Sequence, residues 1–168
     1  LRRLLRIDPD RANGYAALGV ALQRLDKADE AAAVLRQGLA IAPENPWILR
    51  NLGASLLKHG STDEAVKHLQ KAARLNPTDQ RTWLGLAQAL EKAGQGSDAD
   101  QAYRKAADLD PDSDGAEIAR EALRRMAEAA FRSAHPNVPR PDAVMYCLSA
   151  LDTFAGMTPA EIQAVGFE

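Results

Sequence analysis

Apolar residues recur along most of the chain with the spacing of amphipathic helices. Tyr15, Leu18 and Leu22 fall three and four residues apart, and Ala31 and Leu35 continue the same spacing further along. A period near 3.6 residues is typical of a helix with one buried face, whereas a half-buried strand would alternate at every second residue. The pattern therefore predicts an all-α protein.

Four prolines divide this helical pattern at a constant interval of 34 residues: Pro9, Pro43, Pro77 and Pro111. Proline lacks the N–H that a continuing helix would donate and disfavours helical geometry in the residue before it, so each proline marks the end of a unit. A fixed period of this length indicates a repeat architecture. The interval aligns Leu18/Leu52/Leu86, Leu22/Leu56/Leu90, Ala31/Ala65/Ala99, Leu35/Leu69/Tyr103 and Ile41/Leu75/Leu109.

Each unit contains two apolar runs, which predicts two helices joined by a short turn. We expect the turns around Asp26, Gly60 and Gly94. Side chains suited to capping a helix precede the second run of each unit, and we expect them to bind its free backbone N–H groups. These capping candidates are Asp29, Asp63 and Ser97.

The aligned positions match a known signature. They read Tyr15-x-x-Leu18-Gly19-x-x-Leu22, Leu49-x-x-Leu52-Gly53-x-x-Leu56 and Trp83-x-x-Leu86-Ala87-x-x-Leu90, followed by Ala31-x-x-x-Leu35, Ala65-x-x-x-Leu69 and Ala99-x-x-x-Tyr103. The chain thereby resembles tetratricopeptide repeats, whose signature is aromatic-x-x-Leu-Gly-x-x-Tyr, then Ala-x-x-x-Phe, then Pro. The resemblance implies a right-handed α-solenoid of antiparallel helix pairs, with three full units and a half.

The same register predicts the organisation of the whole chain. Residues 12–45, 46–79 and 80–113 form full units, and residues 1–11 form the second helix of a truncated one. Residues 114–134 carry one apolar stripe, which predicts a capping helix with a polar outer face, as terminal repeats require. The stripe consists of Ile118, Ala119, Ala122, Leu123, Met126 and Ala130. We expect residues 135–141 to form a proline-rich linker and residues 142–168 to form a helical C-terminal segment that continues beyond this chain. Because the chain starts with Leu1 partway through a repeat, we expect a fragment of a longer protein.

Composition narrows the classes of partner. The 21 basic and 23 acidic residues give a formal net charge of −2, which lacks the positive bias of a protein that binds nucleic acid. No apolar stretch approaches the ~20 residues that span a bilayer, so we expect no membrane insertion. The single cysteine, Cys147, cannot form an internal disulfide and favours a reducing, cytoplasmic location, although the chain start leaves the targeting signal unknown.

Residue types that carry chemistry are few and scattered, so we expect no enzyme activity, no cofactor and no metal site. His59 and His68 are nine residues apart on different helices, without a metal-binding motif. Cys147 falls among apolar residues, where a small buried hydrophobe is the expected role. The Gly94-Gln95-Gly96 segment follows a helix and lacks the lysine of a phosphate-binding loop, so a turn is expected there.

What the resemblance does imply is a concave groove, lined by the first helix of each unit, that binds a peptide or partner protein. Its cations outnumber its carboxylates by five to one, with Glu91 as the carboxylate, which favours an acidic, extended or C-terminal segment bound by Arg50 and Arg81. Asn51 would donate to peptide carbonyls, and Trp47 would be the apolar anchor. The candidate groove residues are Asn13, Val20, Arg24, Trp47, Arg50, Asn51, Lys58, Arg81, Leu84, Gln88 and Lys92.

Several alternatives stay open. Arg24, Lys58 and Lys92 can equally be solvated charges that interact with helix C-termini. Some family members clamp the C-terminus of chaperones, but Ala16, Val20, Gly85 stand here where that clamp needs polar groups, so we do not expect a co-chaperone. The chain can also be the recruitment module of an enzyme that continues past Glu168. Finally, it can self-assemble into a homo-oligomer through apolar residues of the half unit: Leu1, Leu4, Leu5 and Ile7.

Overall fold

Seven helices and no strand make up residues 12–134, the part of the chain that the computed structural model describes. They are α1 (Ala12–Arg24), α2 (Ala28–Ile41), α3 (Pro46–His59), α4 (Thr62–Leu75), α5 (Gln80–Lys92), α6 (Gly96–Leu109) and α7 (Asp114–Ala134). The packing divides the chain between Leu123 and Arg124, so the first unit holds α1 to α6 and the start of α7. The predictions for residues 1–11, 135–141 and 142–168, including Cys147, lie outside the described residues.

Each of α1 to α5 packs against the next helix along the chain, and the first helices of neighbouring pairs, α1 with α3 and α3 with α5, also touch. The prediction of an all-α repeat fold is confirmed. Buried leucines and alanines at the repeated positions form one continuous core, and the alanines that recur at Ala31, Ala65 and Ala99 are fully enclosed. Small residues let the two helices of a pair approach closely: a Cβ atom on Gly53 would lie 2.5 Å from Cγ of Leu69.

The turn inside each pair has the same backbone geometry. Asp26, Gly60 and Gly94 adopt positive φ angles of 57°, 92° and 76°. The next residue donates its N–H back to a buried leucine carbonyl, as Ser61 does to Leu56 over 2.9 Å. This is the Schellman arrangement, which ends a helix by satisfying its last carbonyl groups.

The predicted N-caps of the second helices are wrong. These helices begin at Ala28, Thr62 and Gly96, so Asp29, Asp63 and Ser97 lie within the first turn rather than before it. The physical reason is that a Schellman turn uses one left-handed residue and one linking residue, after which the next helix starts at once. A side-chain cap of the expected kind occurs instead on α3, where Asn45 Oδ1 accepts from the N–H of Trp47 and of Ile48.

Helix α7 buries small residues, including two alanines of its predicted apolar stripe, but it leaves Ile118 of the same stripe exposed. Ala116, Ala119 and Ala122 are buried, whereas Ile118 is 50% exposed. The start of α7 is tied to α5 because Ser113 Oγ, just before the helix, donates to Gln80 Oε1 over 2.9 Å. The expectation that Ile118 belongs to the covered face of this helix is therefore wrong, since close packing on that side leaves room only for small side chains.

Candidate functional site

The first helices α1 and α3 enclose an open groove of about 580 Å³. Its floor consists of small side chains, and its rim carries larger apolar and polar ones. A volume of this size is within the range of pockets that bind ligands. The lining residues are Asn13, Ala16, Ala17, Val20, Ala21, Arg24, Leu25, Trp47, Arg50 and Asn51.

Two large apolar side chains of the groove face solvent. Trp47 is 57% exposed and Leu25 is 68% exposed. Local structure fixes the position of Trp47, because Pro46 opens α3 and the Asn45 side chain accepts the Trp47 backbone N–H over 3.0 Å. The indole therefore projects from the first turn of a well-capped helix.

Arg50 lies beside Trp47 but is already paired. Its Nη1 donates to Asp79 Oδ2 over 2.7 Å, and the side chains of both residues are largely buried. Thr82 Oγ1 donates to the same carboxylate oxygen over 2.6 Å. Burial of Asp79 opposes its ionisation, but the hydrogen bonds from Thr82 and Arg50 outweigh it and lower the pKa of this carboxyl. The guanidinium also stands 5.9 Å from the centre of the Trp47 ring, within cation–π range.

A second polar network lies behind the groove and connects α1 to α3. Gln23 Nε2 donates to the backbone carbonyl of Asn51 over 2.6 Å and to Ser55 Oγ over 2.8 Å. Asn51 Nδ2 donates to the Trp47 carbonyl one turn earlier over 2.9 Å. One of the two amide hydrogens expected to bind a peptide carbonyl is therefore used within α3.

The positive charge of the predicted surface is partly neutralised by the chain itself. Lys58 Nζ lies 3.6 Å from Asp26 Oδ1, and Lys92 Nζ donates to the Leu57 carbonyl over 3.2 Å. Within residues 12–134, the structure shows no hydrogen bond or ion pair for the side chains of Arg24 and Arg81, which are exposed. Because Arg50 and Lys58 each lie beside a carboxylate, the predicted surface is less basic than its composition suggests.

Comparisons with known proteins agree with this architecture. Two stretches, residues 22–70 and 56–126, match the family model of the tetratricopeptide repeat, and together they cover more than half of the chain. The chain belongs to the tetratricopeptide repeat family. Members of this family are in general non-catalytic interaction modules, and the match supports a protein–protein interaction scaffold as the role of this chain. A search of curated protein sequences gives no match.

Solved tetratricopeptide repeat structures share the fold. The TPR domain of Sgt2 from Aspergillus fumigatus is 25% identical, with a TM-score of 0.68 over 77% of this chain and 87% of that domain. The first TPR of Spaghetti (RPAP3), bound to the HSP90 peptide SRMEEVD, is 20% identical, with a TM-score of 0.67 over 74% of this chain and 96% of that one. A structure of MamA protein is 20% identical, with a TM-score of 0.71 over 92% of this chain and 79% of that one.

Six of the eleven candidate residues line the groove between α1 and α3. The structure brings together Asn13, Val20, Arg24, Trp47, Arg50 and Asn51, whereas Lys58, Arg81, Leu84, Gln88 and Lys92 do not line it. Sequence reasoning missed Leu25, the residue that directly follows α1. Comparing the repeats would have found it, because His59 and Ala93 occupy the equivalent positions and only the first repeat has a large apolar residue there.

The histidines of the array pair with carboxylates, which sequence spacing did not predict. His59 Nδ1 lies 2.6 Å from Asp29 Oδ1, and His68 Nε2 lies 3.6 Å from Glu64 Oε1. Within residues 12–134, no three His, Cys, Asp or Glu side chains are close enough together to hold a metal ion. No helix in the same range is long and apolar enough to cross a membrane.

Proposed function

We propose that the α1–α3 groove binds an extended segment of a partner protein. An apolar side chain of that segment packs against Trp47 and Leu25, and a carboxylate lies beside Arg24. The observation that carries this proposal is the open groove of about 580 Å³ with a tryptophan exposed at its rim. Exposed aromatic residues beside a concave apolar surface are the usual anchors of protein interfaces.

The affinity would come mainly from apolar burial. A tryptophan side chain can bury about 150–250 Å², so an indole that is 57% exposed still offers on the order of 100 Å² to a ligand. At about 25 cal/mol per Å² this area is worth roughly 2.5 kcal/mol, which corresponds to between tenfold and a hundredfold in affinity. Because Asn45 and Pro46 fix the backbone at the start of α3, binding has to order only the side chain of Trp47.

Selectivity for an acidic segment would come from Arg24. Both arginines line the groove, but the guanidinium of Arg50 is already paired with Asp79. The peptide bound to the first TPR of Spaghetti contains two glutamates and an aspartate, which supports an acidic ligand class for this fold. Ala16 and Val20 at the groove offer no polar group for a terminal carboxylate, so we assign Arg24 to a side-chain carboxylate.

Trp47 fluorescence gives a direct test. The chain has two tryptophans, so Trp83→Phe leaves Trp47 as the sole reporter. Peptides selected by this variant from a random display library should be rich in Asp or Glu next to an apolar residue. Their binding should protect Trp47 from acrylamide quenching. Arg24→Ala should weaken the acidic peptides several-fold, the range expected for an exposed ion pair.

Two results would count against the proposal. One is selection of peptides without acidic residues that bind the Arg24→Ala variant equally well. The other is an unchanged affinity after Trp47→Ala, measured by calorimetry. Ile118→Ala is the matched control, because Ile118 is a similarly exposed apolar residue that lies outside the groove, and its affinities should equal those of the parent chain.

A further inference from the structure

A second groove lies between the second helices α4 and α6, away from the site proposed above. It has a volume of about 370 Å³, and α5 forms its floor. Apolar side chains from α5 and α6 cover the bottom, and polar side chains from α4 and α6 form the rim. The lining residues are Gln70, Trp83, Leu86, Leu90, Asp98, Gln101, Ala102 and Lys105, and we name this surface the Trp83 groove.

The equivalent gap one repeat earlier is bridged by the chain itself. There Arg36 Nη2 of α2 donates to both carboxylate oxygens of Glu64 on α4, each over 3.1 Å, and His68 also lies against Glu64. The hydrogen bonds from Arg36 are the main cause of a lowered pKa of the Glu64 carboxyl. Arg36 therefore shows what an acidic residue at this position of the repeat can bind.

Compared with the preceding repeat, the Trp83 groove has a carboxylate at the position of Glu64 but no cation at the position of Arg36. Moving on by 34 residues replaces Glu64 with Asp98, Arg36 with Gln70 and His68 with Ala102. Asp98 is exposed, and the described residues contain no ion pair or side-chain hydrogen bond for it. Asp98 also lies in the first turn of α6, where its negative charge stabilises the helix through the helix dipole. That role accounts for an acidic residue here but does not fill the groove beside it.

Trp83 has a fixed orientation in this groove. The position belongs to Leu49 in the preceding repeat, where the side chain is only 1% exposed. The Trp83 Nε1–H donates to the Pro77 carbonyl over 2.8 Å, whereas the equivalent Pro43 carbonyl accepts from Lys71. Because the indole takes the place of the lysine, Lys105, the counterpart of Lys71, lines the groove instead.

We propose that the Trp83 groove docks an arginine side chain of a partner protein. The guanidinium donates to both carboxylate oxygens of Asp98, as Arg36 Nη2 does to those of Glu64, and the aliphatic stem of the arginine packs on the ring of Trp83. Lys105 stands two helical turns, about 10 Å, further along α6, and its charge disfavours a second cation there. The partner segment therefore carries one arginine rather than a basic tract.

The test uses Trp47→Phe, which leaves the Trp83 indole as the sole tryptophan signal in a ¹⁵N-labelled chain. The probe is argininamide, and citrullinamide is its neutral, similarly shaped control. Argininamide should shift the Trp83 Nε1–H resonance in a saturable way, and citrullinamide should bind several-fold more weakly, the range expected for an exposed ion pair. Equal responses to the two probes would overturn the proposal.

Three variants separate a specific site from a general charge effect. Asp98→Asn should lose the preference for argininamide, whereas Asp63→Asn, which removes an exposed first-turn carboxylate outside the groove, should keep it. The double variant Gln70→Arg/Ala102→His copies the closed groove of the preceding repeat and should abolish the response while keeping the circular dichroism spectrum. Retained binding in that double variant would contradict the assignment.

The remaining alternative is that a second copy of this chain occupies the groove. A Trp83 resonance that shifts on dilution of the protein without probe, and stops doing so in Asp98→Asn, would assign the groove to self-association and refute a heterologous partner. A resonance that is independent of protein concentration, combined with the argininamide response, supports the proposal.

Discussion

Gly53 and Gly85 offer the same substitution with opposite expected outcomes. Both glycines lie within first helices, and both point towards the Leu69 side chain. A Cβ added to Gly53 would lie 2.5 Å from Leu69 Cγ and 3.0 Å from both methyl groups, whereas a Cβ on Gly85 would lie 3.4 Å from one methyl group. The first position is overfilled and the second is an ordinary contact.

The magnitudes follow from two opposing effects. Alanine is favoured over glycine inside a helix by up to about 1 kcal/mol. At Gly53 the added methyl group must displace Leu69, which is fully buried, and overpacking of a tight core costs about 1–3 kcal/mol. We therefore expect Gly53→Ala to lower the free energy of unfolding by up to about 2 kcal/mol. Gly85→Ala should raise it by about 0.5–1 kcal/mol.

Urea denaturation followed by far-UV circular dichroism measures both changes. The midpoints should move in opposite directions while the denaturant dependence of the unfolding free energy stays constant, which would show that the surface exposed on unfolding is unchanged. Adding Gly53→Ala to Leu69→Ala provides a further check, because the new methyl group should no longer destabilise the chain relative to Leu69→Ala alone. If Gly53→Ala stabilises the chain as much as Gly85→Ala does, the close packing at this helix crossing is refuted.

Two further predictions concern the turns and the buried ion pair. Asp26 has a φ of 57° where the other repeats use glycine, so Asp26→Gly should stabilise the chain by about 0.5–1 kcal/mol in thermal unfolding. Asp26→Ala separates conformation from charge, because alanine has no charge and disfavours a positive φ; if it stabilises as much as Asp26→Gly, the backbone explanation fails. For Asp79, the pKa is lowered in the folded chain, so its stabilising effect is complete above the unfolded value of about 3.9 and is lost as the pH falls through the folded value. Asp79→Asn should therefore be less stable than the parent at neutral pH in urea unfolding, and the difference should shrink below about pH 4; a constant difference would contradict the ionic role.

The repeat fold was predictable because its determinants are local and occur several times. A helix end with proline after it, a glycine at a tight crossing and an alanine beside a leucine each follow from short spacings within one unit. Three copies of the same spacing remove the ambiguity that a single copy would leave. The start of each second helix was misplaced because Asp29 and Asp63 suit both an N-cap and a first turn, and only the backbone at Asp26 and Gly60 distinguishes them.

The candidate site was less predictable because its electrostatics depend on contacts between repeats. Arg50 and Asp79 are 29 residues apart and meet only when α5 packs on the α3–α4 pair. Sequence composition counts both Arg50 and Lys58 as groove charges, but Arg50 pairs with Asp79 just before α5 and Lys58 pairs with Asp26 of the preceding repeat. Whether a charged side chain is available to a ligand is therefore decided by tertiary structure.

Differences between the repeats are more informative about binding than the positions they share. Shared positions such as Leu52 and Ala65 are buried and hold the helices together. The exposed groove residues Trp47 and Leu25 occupy positions whose counterparts are polar, charged or small in the other units, and Trp83 occupies the position of Tyr15 in the first unit and of the buried Leu49 in the second. Since the backbone repeats regularly, a ligand can distinguish one unit from another only by such side chains. Each groove is thus assigned to a single pair of neighbouring units, which is why point variants in one groove should leave binding in the other unchanged.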